Sequence, residues 1–229
     1  CPQYAIASLS VNPNPTITVN TSTICVGQQT ATLTANGAST YTWAPGTGLS
    51  STNGAVVNGN PVSTQAYTVS GTDGNGCTGN ATTTITVNSL PTITTNSATI
   101  CVGQQTATLT ANGATTYSWI PGTGLSSTTA SVVTGNPAST QNYTLVGMDA
   151  NGCLNGTVTT IAVNPLPTVT VNSATICAGQ QTATLTANGA STYSWIPGTG
   201  LSSTTGAVVT GTPGATENYT VVGMDANGC

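Results

Sequence analysis

Short stretches in which apolar residues alternate with small polar ones recur along the whole chain. In residues 31–36, for example, Ala31, Leu33 and Ala35 fall on one face and threonines fall on the other. Alternation with a period of two is the pattern of a half-buried β-strand, and Thr, Val and Ile favour strands. No stretch has the 3.6-residue period of an amphipathic helix. The pattern therefore predicts an all-β chain.

Turn-forming pairs such as Asn-Gly and Asn-Pro separate these stretches at roughly the 8–12-residue spacing typical of antiparallel β-sandwiches. The first repeat shows the predicted strands most clearly. They are Thr16–Asn20 continued by Ser22–Cys25, Thr30–Asn36, Tyr41–Ala44, Ala55–Asn58, Tyr67–Asp73 and Cys77–Asn88.

The pattern repeats with a fixed period. Trp43, Trp119 and Trp195 are each 76 residues apart and lie in the same Tyr-x-Trp-x-Pro-Gly-Thr-Gly-Leu motif. A period of this length is too long for one coil of a β-solenoid, so we expect tandem β-sandwiches in a linear array. The expected repeats are residues 13–88, 89–164 and 165–229.

Residues 1–12 align with the last predicted strand of the first and second repeats, residues 77–88 and 153–164. They are therefore expected to be the last strand of a preceding repeat, whereas the third repeat lacks its own. The predicted strand Tyr219–Asp225 would then have a bare edge, which tends to pair with any strand on offer. We expect residues 2–12 to complete such a repeat, either as a strand donated by another copy or by continuity of a longer chain.

The aromatic residues of the repeated motif are candidates for the core. The chain has no Phe, so Trp and Tyr supply its largest apolar surfaces. The alternative is an exposed platform on which sugar rings stack. We expect core positions for Tyr41, Trp43, Tyr117, Trp119, Tyr193 and Trp195.

The charge composition excludes several functions. The 229 residues include no Lys, Arg or His and only four acids, giving a net charge of −4. Nucleic-acid binding needs cationic side chains against the phosphates, so no nucleic-acid partner is expected. No apolar run approaches the roughly 18 residues of a spanning helix, so no membrane insertion is expected. No amino-terminal targeting segment is recognisable.

The seven cysteines follow the repeat, with spacings that alternate between 24 and 52 residues. No Cys-x-x-Cys pair or His is present, so zinc is not expected, and disulfides in an oxidising extracellular setting are. In a sandwich, Cys25 and Cys77 would lie at opposite ends, roughly 20–25 Å apart, whereas a disulfide needs Cα atoms within about 7 Å. We therefore prefer Cys25–Cys153 and Cys101–Cys229, with 52-residue pairing inside a repeat as the rival. Cys1, Cys77 and Cys177 would bond to cysteines outside the chain.

The repeated pattern resembles PKD-like, immunoglobulin-like repeats of very large secreted cell-surface proteins and adhesins of Bacteroidota-type bacteria. The residues that carry the resemblance are Ile24-Cys25-Val-Gly27-Gln28, Leu33-Thr-Ala35, Tyr41-Thr-Trp43, Gly48-Leu49-Ser50, Tyr67-Thr-Val69 and Asp73-Gly-Asn-Gly-Cys77. The resemblance covers essentially the whole chain and implies spacers, stalks or binding modules. The Trp-Asp-Phe-Gly-Asp-Gly of the PKD pattern is here Trp43-Ala-Pro-Gly-Thr-Gly, so the acids of that loop are absent.

Little catalytic chemistry is available. No His or Lys can act as a base, and only Glu217 and Asp225 share a repeat, so an enzyme is not expected. Asp73, Asp149 and Asp225 precede x-Asn-Gly, where a carboxylate caps a turn. The alternative is a calcium ligand, but one acid per site is few for a cation that takes 6–8 oxygens. We expect no cofactor. Rows of Thr could suggest ice binding, but Thr also suits the solvent face of any strand.

Two functions remain. The first is an extracellular filament or cell-surface stalk in which copies of the chain associate head to tail. The second is an adhesive or carbohydrate-binding repeat that contacts surface glycans through its Gly-Thr-Gly-Leu-Ser loops. Near-identical loops favour the first. The candidate N-glycosylation sites of such a secreted chain are Asn20, Asn80, Asn142, Asn155 and Asn218.

Overall fold

The computed structural model describes all 229 residues. Nineteen β-strands and no helix form the regular structure, as the alternating pattern predicts. No helix in it has the length and apolar character needed to cross a membrane. The strands are β1 Thr18–Val19, β2 Ser22–Cys25, β3 Ala31–Asn36, β4 Thr40–Ala44, β5 Val56–Gly59, β6 Gln65–Thr72, β7 Thr78–Asn88, β8 Thr94–Thr95, β9 Ala98–Cys101, β10 Ala107–Asn112, β11 Thr116–Ile120, β12 Val132–Gly135, β13 Gln141–Met148, β14 Leu154–Asn164, β15 Thr170–Val171, β16 Ala183–Asn188, β17 Thr192–Ile196, β18 Val208–Gly211 and β19 Thr220–Met224.

The chain divides into two compact units, which do not coincide with the 76-residue repeats of the sequence. The first unit comprises Cys1–Ile93, Gly113–Thr116 and Val146–Asn155. The second comprises Thr94–Asn112, Tyr117–Leu145 and Gly156–Cys229. The repeat boundaries 13–88, 89–164 and 165–229 stay a prediction.

The first repeat is an immunoglobulin-like sandwich. One sheet has the strand order β1-β3-β5 and the other β2-β7-β6-β4. All its strand pairs are antiparallel except β2 with β7, in which Ser22 pairs with Ile85 and Cys25 with Asn88 in parallel. The sequence predicted β2 as an extension of the first strand. It instead changes sheets, because there its backbone completes the free edge of β7.

The core of this sandwich is built from the inward positions of both sheets. Leu33 comes from one sheet, and Trp43, Tyr67, Val69 and Ile85 come from the other; all are buried. Their neighbours along each strand are mostly threonines that are more exposed. The period-two pattern of the sequence is therefore explained by burial, because the apolar side chains face the core and the polar side chains face solvent.

One glycine of each repeat is required by a close backbone approach. Gly37 has a φ of +105°, and a Cβ on it would clash with the carbonyl oxygen of Thr16. Gly113 and Gly189 stand in the same relation to Thr92 and Thr168. The Asn-Gly pair that ends β3 is therefore needed for both the turn and the packing of the first strand.

The second repeat has the same strand plan, with sheets β12-β10-β8 and β11-β13-β14-β9. Its β9 again runs parallel to β14, with Ala98 opposite Ile161 and Cys101 opposite Asn164. The Ala-Pro or Ile-Pro bond after each tryptophan strand is cis, at Pro45, Pro121 and Pro197.

The third repeat has fewer paired strands than the first two. Its sheets are β15-β16-β18 and the two-stranded β17-β19. Residues 174–177, which correspond to β2 and β9, form no strand. In the first two repeats the corresponding residues pair with β7 and β14, and no strand of this structure takes that place beside β19. The edge of β19 that faces away from β17 is unpaired in this structure, and the absence of a last strand from the third repeat of the protein stays a prediction.

Residues 1–12 form no strand and are exposed throughout. Leu9, at the position of the buried Ile85, is 92% exposed. A strand sequence with no neighbouring strand keeps its backbone hydrogen bonds with water, so it gains nothing from an extended ladder. The origin of this segment in a preceding repeat stays a prediction.

Candidate functional site: two disulfides and an open groove

The first disulfide joins Cys25, at the end of β2, to Cys153, which directly precedes β14. The Cα atoms are 5.5 Å apart and both residues are buried. Beside it, the side chain of Gln28 clamps the backbone of Leu154. Its Nε2 donates to the Leu154 carbonyl at 2.6 Å, and its Oε1 accepts from the Leu154 N–H at 3.2 Å. Cys25 and Gln28, both from the Cys-Val-Gly-Gln turn, are thus bonded to two consecutive residues at the start of β14.

The second disulfide repeats the arrangement one period later. Cys101, at the end of β9, bonds to Cys229, and their Cα atoms are 5.4 Å apart. Both disulfides span 128 residues, so each links a residue of one sequence repeat to a residue of the next. Cys1, Cys77 and Cys177 are free thiols, and their bonding to cysteines outside the chain stays a prediction.

The acids Asp73, Asp149 and Asp225 hold the turns before three cysteines, of which Cys153 and Cys229 are in disulfides and Cys77 is free. Asp73 Oδ1 accepts from the backbone N–H groups of Asn75 and Cys77, each at 2.9 Å. Asp149 and Asp225 accept from the equivalent residues 151 and 153, and 227 and 229. The backbone N–H of Cys229 lowers the pKa of the Asp225 carboxyl, with further hydrogen bonds from Asn227 and Gly228 acting the same way.

The structure contains no group of three or more His, Cys, Asp or Glu side chains placed to hold a metal ion. Glu217, the fourth acid, is exposed in the segment before β19.

The tryptophans are buried and hydrogen-bonded. Trp43 donates its indole N–H to the Gly54 carbonyl at 2.9 Å, and Trp119 and Trp195 make the same bond to Ala130 and Gly206. Tyr41 and Tyr193 are buried as well, and Tyr117 is half-buried. Buried indoles present no face on which a sugar ring could stack.

The sequon asparagines differ in accessibility. The Nδ2 of Asn20 donates to Thr32 O at 2.9 Å and that of Asn155 to Pro91 O at 2.9 Å, so a glycan there would replace a hydrogen bond. Asn142 is exposed, and its Oδ1 accepts from the Thr160 hydroxyl at 2.6 Å. Asn80 and Asn218 are exposed.

Three equivalent asparagines have a structural role that sequence reasoning did not assign. Asn20 also accepts from the Thr34 N–H at 2.7 Å, so its amide bridges two backbone groups of β3. Asn96 and Asn172 make the same pair of bonds to β10 and β16. The sequence signal that could have identified this role is the recurrence of these three asparagines at the 76-residue period.

An open groove of about 610 Å³ lies in the third repeat beside β19. Ile176, Leu185, Trp195, Gly211 and Tyr219 are among the residues that line it. The corresponding space in the first two repeats is filled: a Cβ on Gly59 would lie 2.5 Å from Ile85 Cδ1, and one on Gly135 would lie 2.7 Å from Ile161 Cδ1. Against Gly211 no such isoleucine is present.

Two buried tyrosines are expected to make the stability of the fold depend on pH in the alkaline range. Desolvation raises the pKa of Tyr67 and Tyr143 above the ordinary value, and each phenol donates to a loop carbonyl, of Thr47 at 2.8 Å and Thr123 at 2.9 Å. A raised folded-state pKa favours the neutral phenol in the fold. Its stabilising contribution is complete below the unfolded pKa of about 10 and is lost as pH rises through the folded value.

We therefore expect the urea midpoint of the chain to fall as pH rises above about 10. The Tyr67→Phe/Tyr143→Phe variant should be less stable at neutral pH but should lose less stability on going to alkaline pH. Tyr4→Phe, at an exposed position, is the matched control and should follow the parent chain. An alkaline loss equal in the double variant and the parent would contradict the expectation.

No family model and no curated protein matches the sequence. Among solved structures, the chain is similar to a Ca²⁺-stabilised adhesin that helps an Antarctic bacterium to bind ice, at 15% identity over 94% of this chain and 64% of that one, with a TM-score of 0.39. It is similar to the N-terminal immunoglobulin module of the Drosophila receptor tyrosine phosphatase DLAR, at 16% identity over 66% and 100%, with a TM-score of 0.28. Extracellular domains of Drosophila OTK match at 11% identity over 91% and 93%, with a TM-score of 0.34. At these scores the likeness says nothing about what the chain binds.

Proposed function

We propose that the chain is a structural repeat of an extracellular filament or cell-surface stalk, built from copies that associate head to tail. The observation that carries the proposal is the overlap of the two disulfides. The loops closed by Cys25–Cys153 and Cys101–Cys229 overlap in residues 101–153. If either disulfide is broken, the other still encloses this stretch. A structural fibre needs covalent reinforcement that continues from repeat to repeat, and this register supplies it.

The composition supports the same role. Disulfides persist in oxidising compartments, and this supports a location outside the cell or on its surface. With no Lys or Arg, the chain contains no site for trypsin-like proteases. With four acids and no base, it lacks the paired groups of acid–base or nucleophilic catalysis, and we propose that it is not an enzyme.

The finer assignment, PKD-like repeats of a Bacteroidota-type surface protein, rests on the repeated Ile-Cys-x-Gly-Gln and Asp-x-Asn-Gly-Cys motifs. Both occur at the ends of the disulfides, where Gln28 clamps Leu154 and Asp149 holds the Cys153 N–H. The motifs that carry the resemblance are thus the residues that build the linkage between successive repeats.

An adhesive or glycan-binding role is the second candidate. The observation on its side is that the Gly-Thr-Gly-Leu-Ser loops are mostly exposed, whereas their near identity favours the structural role. The buried tryptophans remove the strongest sugar platform.

Negative-stain microscopy of the native material, with a glycan array probed by the same chain, tests the two candidates. The structural role predicts long fibres and no reproducible glycan binding. Isolated particles would overturn it, and selective glycan binding by those particles would favour the adhesive role.

A further inference from the structure

Cys153 is a distant partner for Cys25 in the unfolded chain. It lies 128 residues away, whereas Cys1 lies 24 residues and Cys77 lies 52 residues from Cys25. The probability that two residues of a flexible chain meet falls as about the −3/2 power of their separation. Chain entropy therefore favours Cys77 over Cys153 about fourfold, and Cys1 about 12-fold. The bond to Cys153 has to be selected by folded structure.

In the folded first repeat, Cys77 is out of reach of Cys25. Cys25 lies opposite Asn88, the last residue of β7, whereas Cys77 directly precedes the first residue of β7. The 11 residues of β7 separate the two cysteines by roughly 36 Å. A disulfide needs Cα atoms within about 7 Å. The pairing of β2 with β7 thus excludes Cys77, but it does not by itself bring Cys153 to Cys25.

Each of the two bonded cysteines has its backbone held by a side chain of its own turn. The N–H of Cys25 donates to Gln29 Oε1 at 3.2 Å, and the N–H of Cys153 donates to Asp149 Oδ1 at 2.9 Å. The same two hydrogen bonds occur at free cysteines, from Cys77 to Asp73 at 2.9 Å and from Cys177 to Gln181 at 3.3 Å. The turns therefore have this geometry without a disulfide, and it cannot distinguish one partner from another.

Gln28 supplies the contact that is specific to Cys153. Its amide makes two hydrogen bonds to the backbone of Leu154, the residue directly after Cys153, at 2.6 Å to the carbonyl and at 3.2 Å from the N–H. Neither hydrogen bond uses a sulfur atom, so both can form while the cysteines are reduced. Because Gln28 lies three residues after Cys25, this clamp places the turn of Cys25 against Cys153.

We propose that Gln28 determines the partner of Cys25. The clamp docks the turn of residues 25–29 onto the start of β14 before the disulfide closes, and the thiol that then lies beside Cys25 is that of Cys153. Gln28 is in this sense a positioning residue for oxidation. The inference goes beyond the filament or stalk function, because it concerns how a single chain acquires its cross-links.

Closure of the bond needs an oxidant, and a small disulfide such as oxidised glutathione supplies it. The Cys25 thiolate of the undocked turn attacks glutathione disulfide, forms a mixed disulfide and releases one glutathione thiolate. After docking, the Cys153 thiolate attacks the Cys25 sulfur, closes the protein disulfide and releases the second glutathione thiolate. Two protein thiols are oxidised with loss of two protons, and one glutathione disulfide is reduced to two thiols.

The first test follows oxidation of the reduced full chain in a glutathione buffer, with alkylation of free thiols and peptide mapping by mass spectrometry. In the parent chain, Cys153 should be the first protein partner of Cys25. Gln28→Ala should lower the equilibrium constant for the Cys25–Cys153 disulfide, measured against glutathione, about tenfold, because two hydrogen bonds are lost. Early samples of this variant should also contain Cys25 joined to Cys1 or Cys77.

Two controls make the result specific. Gln180→Ala is the same substitution in the equivalent turn beside the free Cys177, where Gln180 is exposed, and it should behave like the parent. The Cys101–Cys229 disulfide is an internal reference and should form with the same equilibrium constant in all three chains. A Gln28→Ala chain that matches Gln180→Ala, or a parent chain that first joins Cys25 to Cys1 or Cys77, would overturn the inference.

The second test asks whether the clamp forms without the disulfide. In the Cys25→Ala/Cys153→Ala chain, hydrogen exchange at the Leu154 amide should be slowed about tenfold relative to an exposed amide, because Gln28 still accepts that N–H. Addition of Gln28→Ala should abolish the protection, and addition of Gln180→Ala should not. An unprotected Leu154 amide in the Cys25→Ala/Cys153→Ala chain would overturn the inference, whatever microscopy of the native material shows about fibres.

Discussion

Removing the Cys25–Cys153 disulfide is expected to lower the free energy of unfolding by about 5 kcal/mol. A cross-link between residues 128 apart withdraws a large share of the conformations open to the unfolded chain. The cross-link changes the conformational freedom of the folded chain very little. The Cys25→Ala/Cys153→Ala variant, unfolded in urea and followed by circular dichroism, measures the effect.

Two comparisons make this result specific. Cys101→Ala/Cys229→Ala opens a loop with the same sequence separation of 128, so its loss of stability should be similar. Cys1→Ala removes an exposed free thiol and should leave the urea midpoint unchanged. If the Cys25→Ala/Cys153→Ala variant were as stable as Cys1→Ala, the disulfide would contribute nothing to the fold.

Replacing Trp43 by alanine is expected to cost about 3–5 kcal/mol. The indole is buried in the first core with Leu33 and Tyr67, so its removal leaves a cavity there. Its loss also leaves the Gly54 carbonyl without its donor. A small sandwich has a total stability of only about 5–15 kcal/mol, so a large part of the first repeat's stability should disappear.

Thermal unfolding of Trp43→Ala against Val62→Ala measures this cost. Val62 is exposed, so its truncation should change stability by less than about 0.5 kcal/mol. Trp43→Phe, which keeps an aromatic ring but loses the N–H, should fall between the two. A Trp43→Ala chain as stable as Val62→Ala would mean that the indole is a surface residue kept for binding.

The sequence predicts the strands well because burial alternates along them. Leu33, Tyr67 and Val69 each lie one position from a threonine, and this is enough to identify an inward face. The 76-residue period adds the all-β tandem organisation, because the same pattern must form the same structure three times.

Other features depend on partners that are distant in the sequence. Ser22–Cys25 reads as an extension of the first strand, and only the free edge of β7, some sixty residues later, draws it into the opposite sheet. The clamp of Gln28 on Leu154 joins residues 126 apart. In the third repeat, residues 174–177 have nearly the β2 sequence but no strand, because the partner strand and not the local sequence decides the outcome.

The disulfides change the route by which tension crosses the molecule. Between Cys25 and Cys229 the shortest covalent path crosses to Cys153, runs back along the chain to Cys101 and crosses again. That path contains 52 residue steps, from 101 to 153, against 204 along the sequence, from 25 to 229. At about 3.5 Å per residue, a pull on those two cysteines can separate them to at most about 180 Å instead of about 700 Å. Residues 26–100 and 154–228 lie outside this path. They can therefore unfold and refold under load without increasing the distance between Cys25 and Cys229.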